Sequence, residues 1–269
     1  MYFTLSQNNG LAYEYQPPAN KNGCTFVCFN PLTGDKAMWE DGIGPDLMKA
    51  GHGVLTWNLR GQAGSDFGSG EISQTNIVTD AQCLIAEVAP QNPIFVGLSV
   101  GGLHAAKAYL SHQITTVKGF VFINTLRTIG PRLAWINAAL VRLAQTGGLD
   151  LLRDVYLPLL LNEDWQADNR ADFLKSGPYS PIATDDGALH LLKAGETTSW
   201  DVNWADIKVP VLNITGLQDH IFRDDSVIEK MLEYFADVKA VQYANAGHMI
   251  PSEDPKRLAR DLIQFAKTL

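Results

Sequence analysis

The chain has 269 residues, 46% of them hydrophobic and 19% charged, with 21 Lys and Arg against 29 Asp and Glu and a formal net charge of −8. That length and composition suit one or two globular domains with a sizeable core; the acidic balance, without a long basic run, disfavours a surface that tracks nucleic-acid phosphates. Three cysteines are too few for a disulfide framework, and no apolar run approaches the ~20 residues of a membrane span.

The first seven residues have neither a basic n-region nor an apolar h-region, so no signal peptide is expected and the expected compartment is the cytoplasm. Residues 2–6 and 11–15 are β-rich runs around a turn containing Asn9-Gly10, a pair that tolerates positive φ, which predicts an opening hairpin. Pro17-Pro18 then stops the pairing. Residues 24–29 form a short apolar run bounded by turn residues, which suits a buried strand. In such a strand Cys24 and Cys28 stand about 13 Å apart, too far to bridge. A Pro/Gly loop over 30–35 leads into a helical stretch ending near Ala50-Gly51, then a strand over 54–59 and a loop over 60–65. Ile77, Val78, Ala81, Leu84, Ile85 and Val88 recur at helical spacing, so 74–89 reads as an amphipathic helix ended by Pro90 and Pro93. A strand over 94–96, a helix over 100–110 and a strand over 117–123 follow. Towards the end come a strand over 209–215, a helix over 224–235, a strand over 239–243 and a closing helix over 251–269. Strands alternating with helices of this length predict an α/β fold, with a mostly parallel central sheet and helices on both faces.

Residues 127–205 break that rhythm. They lack convincing strands and carry helix-like patterns over 133–144 and 149–161, and Trp135, Trp165, Trp200 and Trp204 fall in this part of the chain. A structureless loop of that length does not fit a compact domain. We therefore expect a core made of 1–126 and 206–269, with 127–205 as a helical lid, or cap, inserted after the sixth strand.

Chemistry concentrates at three strand ends. Gly97-Leu98-Ser99-Val100-Gly101 follows the strand 94–96 and opens the next helix. An ordinary Gly/Ser turn has the same composition, but here the setting is strand, sharp turn, helix, which presents a serine hydroxyl at the carboxyl end of a sheet. The N–H of Val100, at a helix N-terminus, is an unsatisfied donor suited to an oxyanion. Asp219 follows the strand 209–215 and His248 follows the strand 239–243. Parallel strands all point one way, so Ser99, Asp219 and His248 converge on one edge, in the chain order Ser, Asp, His. Asp224 and Asp225 are rivals to Asp219, but at the start of a helix they have a structural reason to be acidic. His104, one turn into the helix after Ser99, reads as packed or pocket-lining, and His220 points elsewhere if Asp219 faces His248.

With these motifs the chain resembles the α/β-hydrolase fold family, specifically its lidded serine hydrolases, over nearly its whole length outside the lid. Asn30-Pro31-Leu32-Thr33-Gly34 occupies the place of that family's His-Gly-x-x-Gly oxyanion loop, which implies that the Leu32 N–H is the second oxyanion donor. Here Asn30-Pro31 replaces His-Gly, and proline lacks an N–H, but the donor belongs to the residue after it. The loop Arg60-Gly61-Gln62-Ala63-Gly64-Ser65 resembles the family's structural Arg-Gly-x-Gly-x-Ser loop, with Arg60 as a bracing residue. Some members carry the acid after the sixth strand, where this chain has Asn124.

The resemblance implies a cofactor-free serine hydrolase acting on a small ester-like substrate, with Ser99 as nucleophile, His248 as base and Asp219 orienting it. Lactonases, thioesterases, C–C bond hydrolases, acyltransferases and haloperoxidases use the same triad, and the elbow Gly97–Gly102 looks like that of enol-lactone hydrolases. A ligand-binding receptor on the same scaffold, with little turnover, is the reading from another class. Trp39, Arg127 and Trp135 are the candidate substrate-binding side chains, and Arg132 is a further cation close to the sixth strand. No spacing of His, Cys, Asp or Glu suggests a metal site. Neither the oligomeric state nor the bond cleaved is legible at this level.

Overall fold

A computed structural model describes residues 1–6, 9–68, 72–112, 114, 116–126 and 128–269. Among them nine strands form one sheet: β1 (Tyr2–Ser6), β2 (Asn9–Gln16), β3 (Thr25–Phe29), β4 (Gly53–Trp57), β5 (Asp66–Phe67), β6 (Pro93–Leu98), β7 (Gly119–Ile123), β8 (Val211–Gly216) and β9 (Val238–Tyr243). The helices are α1 (Ala37–Gly42), α2 (Gly44–Lys49), α3 (Gln74–Val88), α4 (Val100–Leu110), α5 (Pro131–Leu160), α6 (Glu163–Asn169), α7 (Gly187–Glu196), α8 (Asp225–Leu232), α9 (Ile250–Glu253) and α10 (Pro255–Ala266). The strand order is β1-β2-β4-β3-β6-β7-β8-β9, with β5 on β2; β1, β2 and β5 pair antiparallel, and everything from β4 to β9 along that path is parallel. This is the expected α/β architecture.

Alternation along the central strands sorts the core into two layers. Val27, Phe29, Leu55, Trp57, Phe95, Phe120 and Phe122 face α3 and α4. Phe26, Cys28, Val54, Ile94, Val96, Val121 and Ile123 face α1, α2 and α10. Because both faces are covered, these strands are mostly apolar on both faces, as buried parallel strands are, with Thr25 and Thr56 as buried exceptions. On the first face an aromatic row crosses the sheet, with ring centroids 4.9 Å apart for Phe29–Trp57, 5.1 Å for Phe29–Phe95 and 5.5 Å for Phe95–Phe120. Each such pair adds about 0.5–1.5 kcal/mol beyond its area burial.

The connections place the functional edge. β3 sits between β4 and β6, and the chain leaves β3 towards β4 but leaves β6 towards β7. The loops after β3 and β6 therefore diverge, opening the crevice at which open α/β sheets bind ligands.

Between β7 and β8 the described residues form helices and short 3-10 turns, without a strand. α5 turns sharply at Gly147 and Gly148, whose backbone leaves the helical region, with φ 72° at Gly148. A Cβ on Gly148 would collide with the Ser180 carbonyl, so the break separates the two predicted helical runs. Val141, Ala144, Leu152, Leu189 and Leu192 make a small core of their own here, whereas Leu191, Ala194 and Trp204 join the core of the sheet.

Three details differ from expectation. Asn9-Gly10 lies within β2, with Asn9 opposite Ser6 and Gly10 opposite Thr4; residues 7 and 8, between the two strands, lie outside the described residues. The Tyr2 ring lies over Gly10, where a Cβ would push it aside. The closing helix is two helices, because Pro255 disfavours helical backbone at Asp254 (φ −143°, ψ 60°) and instead starts α10, capped by the Asp254 side chain. The two-residue β5, too short for any periodicity to reveal, makes the strand before the helical segment the seventh. No helix among the described residues is long and apolar enough to cross a membrane.

His104 is 1% exposed on α4, and neither ring nitrogen has a hydrogen-bond partner. Burial, reinforced by the Lys107 charge, lowers its pKa from 6.5 to about 4. Above pH 6.5 the imidazole is neutral in both folded and unfolded chains. Between about 6.5 and 4 only the unfolded chain takes the proton, so stability falls with pH, by about 3 kcal/mol in all. Replacing His104 by Leu should therefore shrink the stability difference between pH 7 and pH 4.5 in denaturant unfolding. An unchanged difference would show that His104 is not the group responsible.

Candidate active site

Ser99 stands between β6 and α4 with φ 57° and ψ −126°, a left-handed backbone rare for a residue with a side chain. Its surroundings hold it there. A Cβ on Gly97 would collide with the Gly102 backbone, and one on Gly101 with the Phe29 carbonyl. The Ser99 N–H donates to the Ile123 carbonyl at 2.8 Å, and the Thr125 hydroxyl donates to the Ser99 carbonyl at 3.0 Å. Val100 is the first residue of α4, where no preceding turn supplies an acceptor for its N–H.

Asp219 and His248 are brought into direct contact, with Asp219 Oδ2 2.6 Å from His248 Nδ1. Both are buried, at 3% and 4% exposure. Burial pushes the Asp219 carboxyl up, but the His248 imidazole and the N–H groups of Phe222 and Ile221 outweigh it, so the pKa lies below its ordinary value. The carboxylate is thus ionised at neutral pH and can only accept. Nδ1 therefore carries the imidazole proton, leaving a lone pair on Nε2. Asp224 has other work: it caps α8 through the Val227 N–H, while Asp225 pairs with Arg223 at 2.6 Å.

The backbone around His248 is fully engaged. The His248 N–H donates to the Leu160 carbonyl at 2.6 Å, tying this loop to the end of α5. Glu253 Oε2 accepts from Gly247 N and from Asn162 N and Nδ2, and Oε1 accepts from Met249 N, all at 2.7–2.8 Å. Asn124 secures the other side: Nδ2 donates to the Gly247 and His248 carbonyls, and Oδ1 accepts from Gly216 N at 2.8 Å. Neither residue stands out in the sequence. The one local cue at Asn124 (φ 48°) is that Asn tolerates left-handed backbone just after a strand. Glu253 gives no cue until the break between α9 and α10 is known.

The loop after β3 is braced by amides. Asn30, completely buried, donates to the Trp57 carbonyl at 2.8 Å and to Gln62 Oε1 at 2.9 Å, and accepts from Trp39 Nε1 at 2.8 Å. Gln62 Nε2 returns a bond to the Pro31 carbonyl at 2.9 Å. Arg60 lies outside this network and grips Asp80 with two bonds of 2.6 Å, the bracing role expected of it.

Ser99, Val100, Leu32 and His248 all line one cavity of about 560 Å³. Among the described residues no hydrogen bond joins the Ser99 hydroxyl to His248, a contact that commonly tightens only with substrate bound. Much of the wall is apolar and comes from the segment between β7 and β8, with Leu133, Leu140, Leu152 and Trp200 contributing. Of the candidate substrate-binding side chains, Trp39 is completely buried in the core, held by Asn30, and lies off the wall. Trp135 is 79% exposed on the outer side of α5 and also lies off it. Arg127 falls outside the described residues. Arg132 donates to the Arg223 carbonyl at the surface. Sequence reasoning missed Tyr156 and Arg153, which do line the cavity.

Asn124→Gly should isolate the bonds of the Asn124 side chain, because glycine keeps the backbone while losing all three. We expect a loss of about 1–3 kcal/mol in denaturant unfolding, read against wild type, and reduced turnover. Unchanged stability and turnover would show that these bonds do not hold the His248 loop.

The family model described as alpha/beta hydrolase fold matches residues 25–255. Over 269 residues the chain is 21% identical to 3-oxoadipate enol-lactonase 1 of Acinetobacter baylyi, covering 98% of this chain and 97% of that one. The solved enol-lactonase of Burkholderia xenovorans LB400 superposes with a TM-score of 0.79 at 21% identity, over 99% of this chain and 100% of that one. An esterase of Exiguobacterium antarcticum gives a TM-score of 0.81 at 16% identity, over 99% and 98%.

Proposed function

The chain belongs to the alpha/beta hydrolase fold family, and we propose that it is a serine hydrolase that cleaves a carboxylic ester or a related acyl bond. The observation that carries this is the buried Asp219–His248 pair, 2.6 Å apart, opening on the same cavity as a serine held at positive φ. Ser99 Oγ attacks the acyl carbonyl while His248 Nε2 takes its proton. The N–H groups of Leu32 and Val100 hold the tetrahedral oxyanion. The oxyanion collapses to an acyl-enzyme, and the alcohol leaves with the proton from His248. Water, deprotonated by His248, then attacks the acyl carbon, releasing the acid and restoring Ser99. Asp219 stays ionised and stabilises the imidazolium formed in both halves. Residues 127–205 act as the lid that walls the acyl pocket. None of these steps draws on a cofactor.

A lactone is the cyclic form of the same acyl bond, and the likeness to two enol-lactonases makes lactones the second substrate class to test.

A fluorophosphonate probe should label Ser99, identified by peptide mass spectrometry, and Ser99→Ala should lose both labelling and multiple turnover. Labelling that survives the substitution would assign the nucleophile elsewhere. The mostly apolar wall and the volume of about 560 Å³ also limit acyl length. Along a p-nitrophenyl ester series kcat/KM should peak at about two to six acyl carbons, and a maximum at twelve or more would replace the enclosed pocket with an open groove.

A further inference from the structure

On the second half of α5, Leu149, Leu152, Arg153, Tyr156, Leu157 and Leu160 all face the cavity. Their spacings of three and four residues make one helical stripe. Its last member anchors it at the reacting end, where the Leu160 carbonyl accepts the His248 N–H. Arg153 lies two turns back, about 10 Å along the helix axis. Among the described residues it is the one Lys or Arg on the wall.

We propose that Arg153 binds a carboxylate on the substrate, so that the site takes short-chain esters or lactones carrying a free carboxylate a few carbons from the scissile carbonyl. This rests on the hydrolase reading given above. The other charged wall residues have structural partners: Asp35 accepts from Ala37 N at 2.9 Å and Asp186 from Ala188 N at 2.8 Å. Among the described residues the ion-pair partner of Arg153 is Asp150 at 3.5 Å, with the two side chains 54% and 82% exposed. Such a solvated pair contributes little and exchanges readily. The guanidinium also borders an adjoining cleft of about 200 Å³ that holds Asp150, Asp154 and Asp172. Arg153 thus stands where that cleft meets the apolar cavity. A substrate carboxylate entering an otherwise apolar pocket is costly to desolvate unless paired. The planar fork of Arg153 matches it with two parallel N–H bonds, whereas a neutral chain gains nothing from the charge.

The test compares matched acyl lengths by pH-stat: monoethyl succinate, glutarate and adipate against ethyl butyrate, valerate and hexanoate. Wild type should favour the carboxylated member of at least one pair. Arg153→Met should lower the charged-to-neutral ratio of kcat/KM about 10- to 100-fold, mainly through KM, with part of the ratio restored by Arg153→Lys. A ratio that Arg153→Met leaves unchanged, or a wild type that prefers the neutral ester in every pair, overturns the proposal. Absence of turnover on both series overturns the hydrolase reading instead. Calorimetric binding of glutarate to Ser99→Ala, with and without Arg153→Met, then decides the carboxylate site: Arg153-dependent binding upholds it, and binding that is absent or independent of Arg153 discards it.

Discussion

Everything at the carboxyl edge of the sheet hangs on the end of β7. The Ile123 carbonyl receives the Ser99 N–H, and the Asn124 N–H donates to the Ile214 carbonyl at 2.9 Å. The Asn124 side chain then joins Gly216 to Gly247 and His248. Two adjacent residues thus tie together β6 with its serine, β8 with the Asp219 loop beyond it, and the loop after β9 that carries His248. A buried amide can hold such a junction because its acceptor and both its donors are satisfied; a half-satisfied one would cost free energy instead. A site built from several side chains tolerates errors of only a fraction of an ångström, and here the placing of Ser99, Asp219 and His248 rests on strand register and a few short polar bonds.

The same economy governs the rest of the site. The buried charges and amides here are given partners that fix their direction. Asp219 spends Oδ1 on two backbone N–H groups and presents Oδ2 to His248. Asn30 and Gln62 brace the loop before Leu32 without drawing on the Leu32 N–H. Glu253, by taking N–H groups from both the His248 loop and Asn162, couples that loop to the helical segment between β7 and β8. Low polarity around these groups strengthens each interaction, since fewer waters compete for the same charges.

Fold and substrate choice occupy different parts of the chain. An enol-lactonase and an esterase superpose on it at similar TM-scores, with 21% and 16% identity. The shared sheet is a likeness of fold, and a fold does not by itself choose a substrate. What differs from one such chain to another can lie in the cavity wall, and here most of that wall comes from between β7 and β8, where Arg153 interrupts an otherwise apolar stripe.

The amino-acid sequence by itself determined the alternation of strands and helices, because buried parallel strands are mostly apolar on both faces and their helices repeat every three to four residues. It also singled out Ser99, Asp219 and His248, since a reactive side chain at a strand end is a local feature, and parallel strands carry all such ends to one edge. What it left open depends on contacts between distant residues. Trp39, a few residues beyond the loop after β3, looks from the sequence like a pocket residue, yet its indole faces Asn30 inside the core. Trp135 and Arg153 lie on the same helix, and only the packing of α5 beyond its Gly147–Gly148 break turns one outward and the other to the cavity. The stitching by Asn124 and Glu253 joins residues up to 124 apart in the chain, and no local propensity encodes a bond whose partners meet only after the sheet has formed.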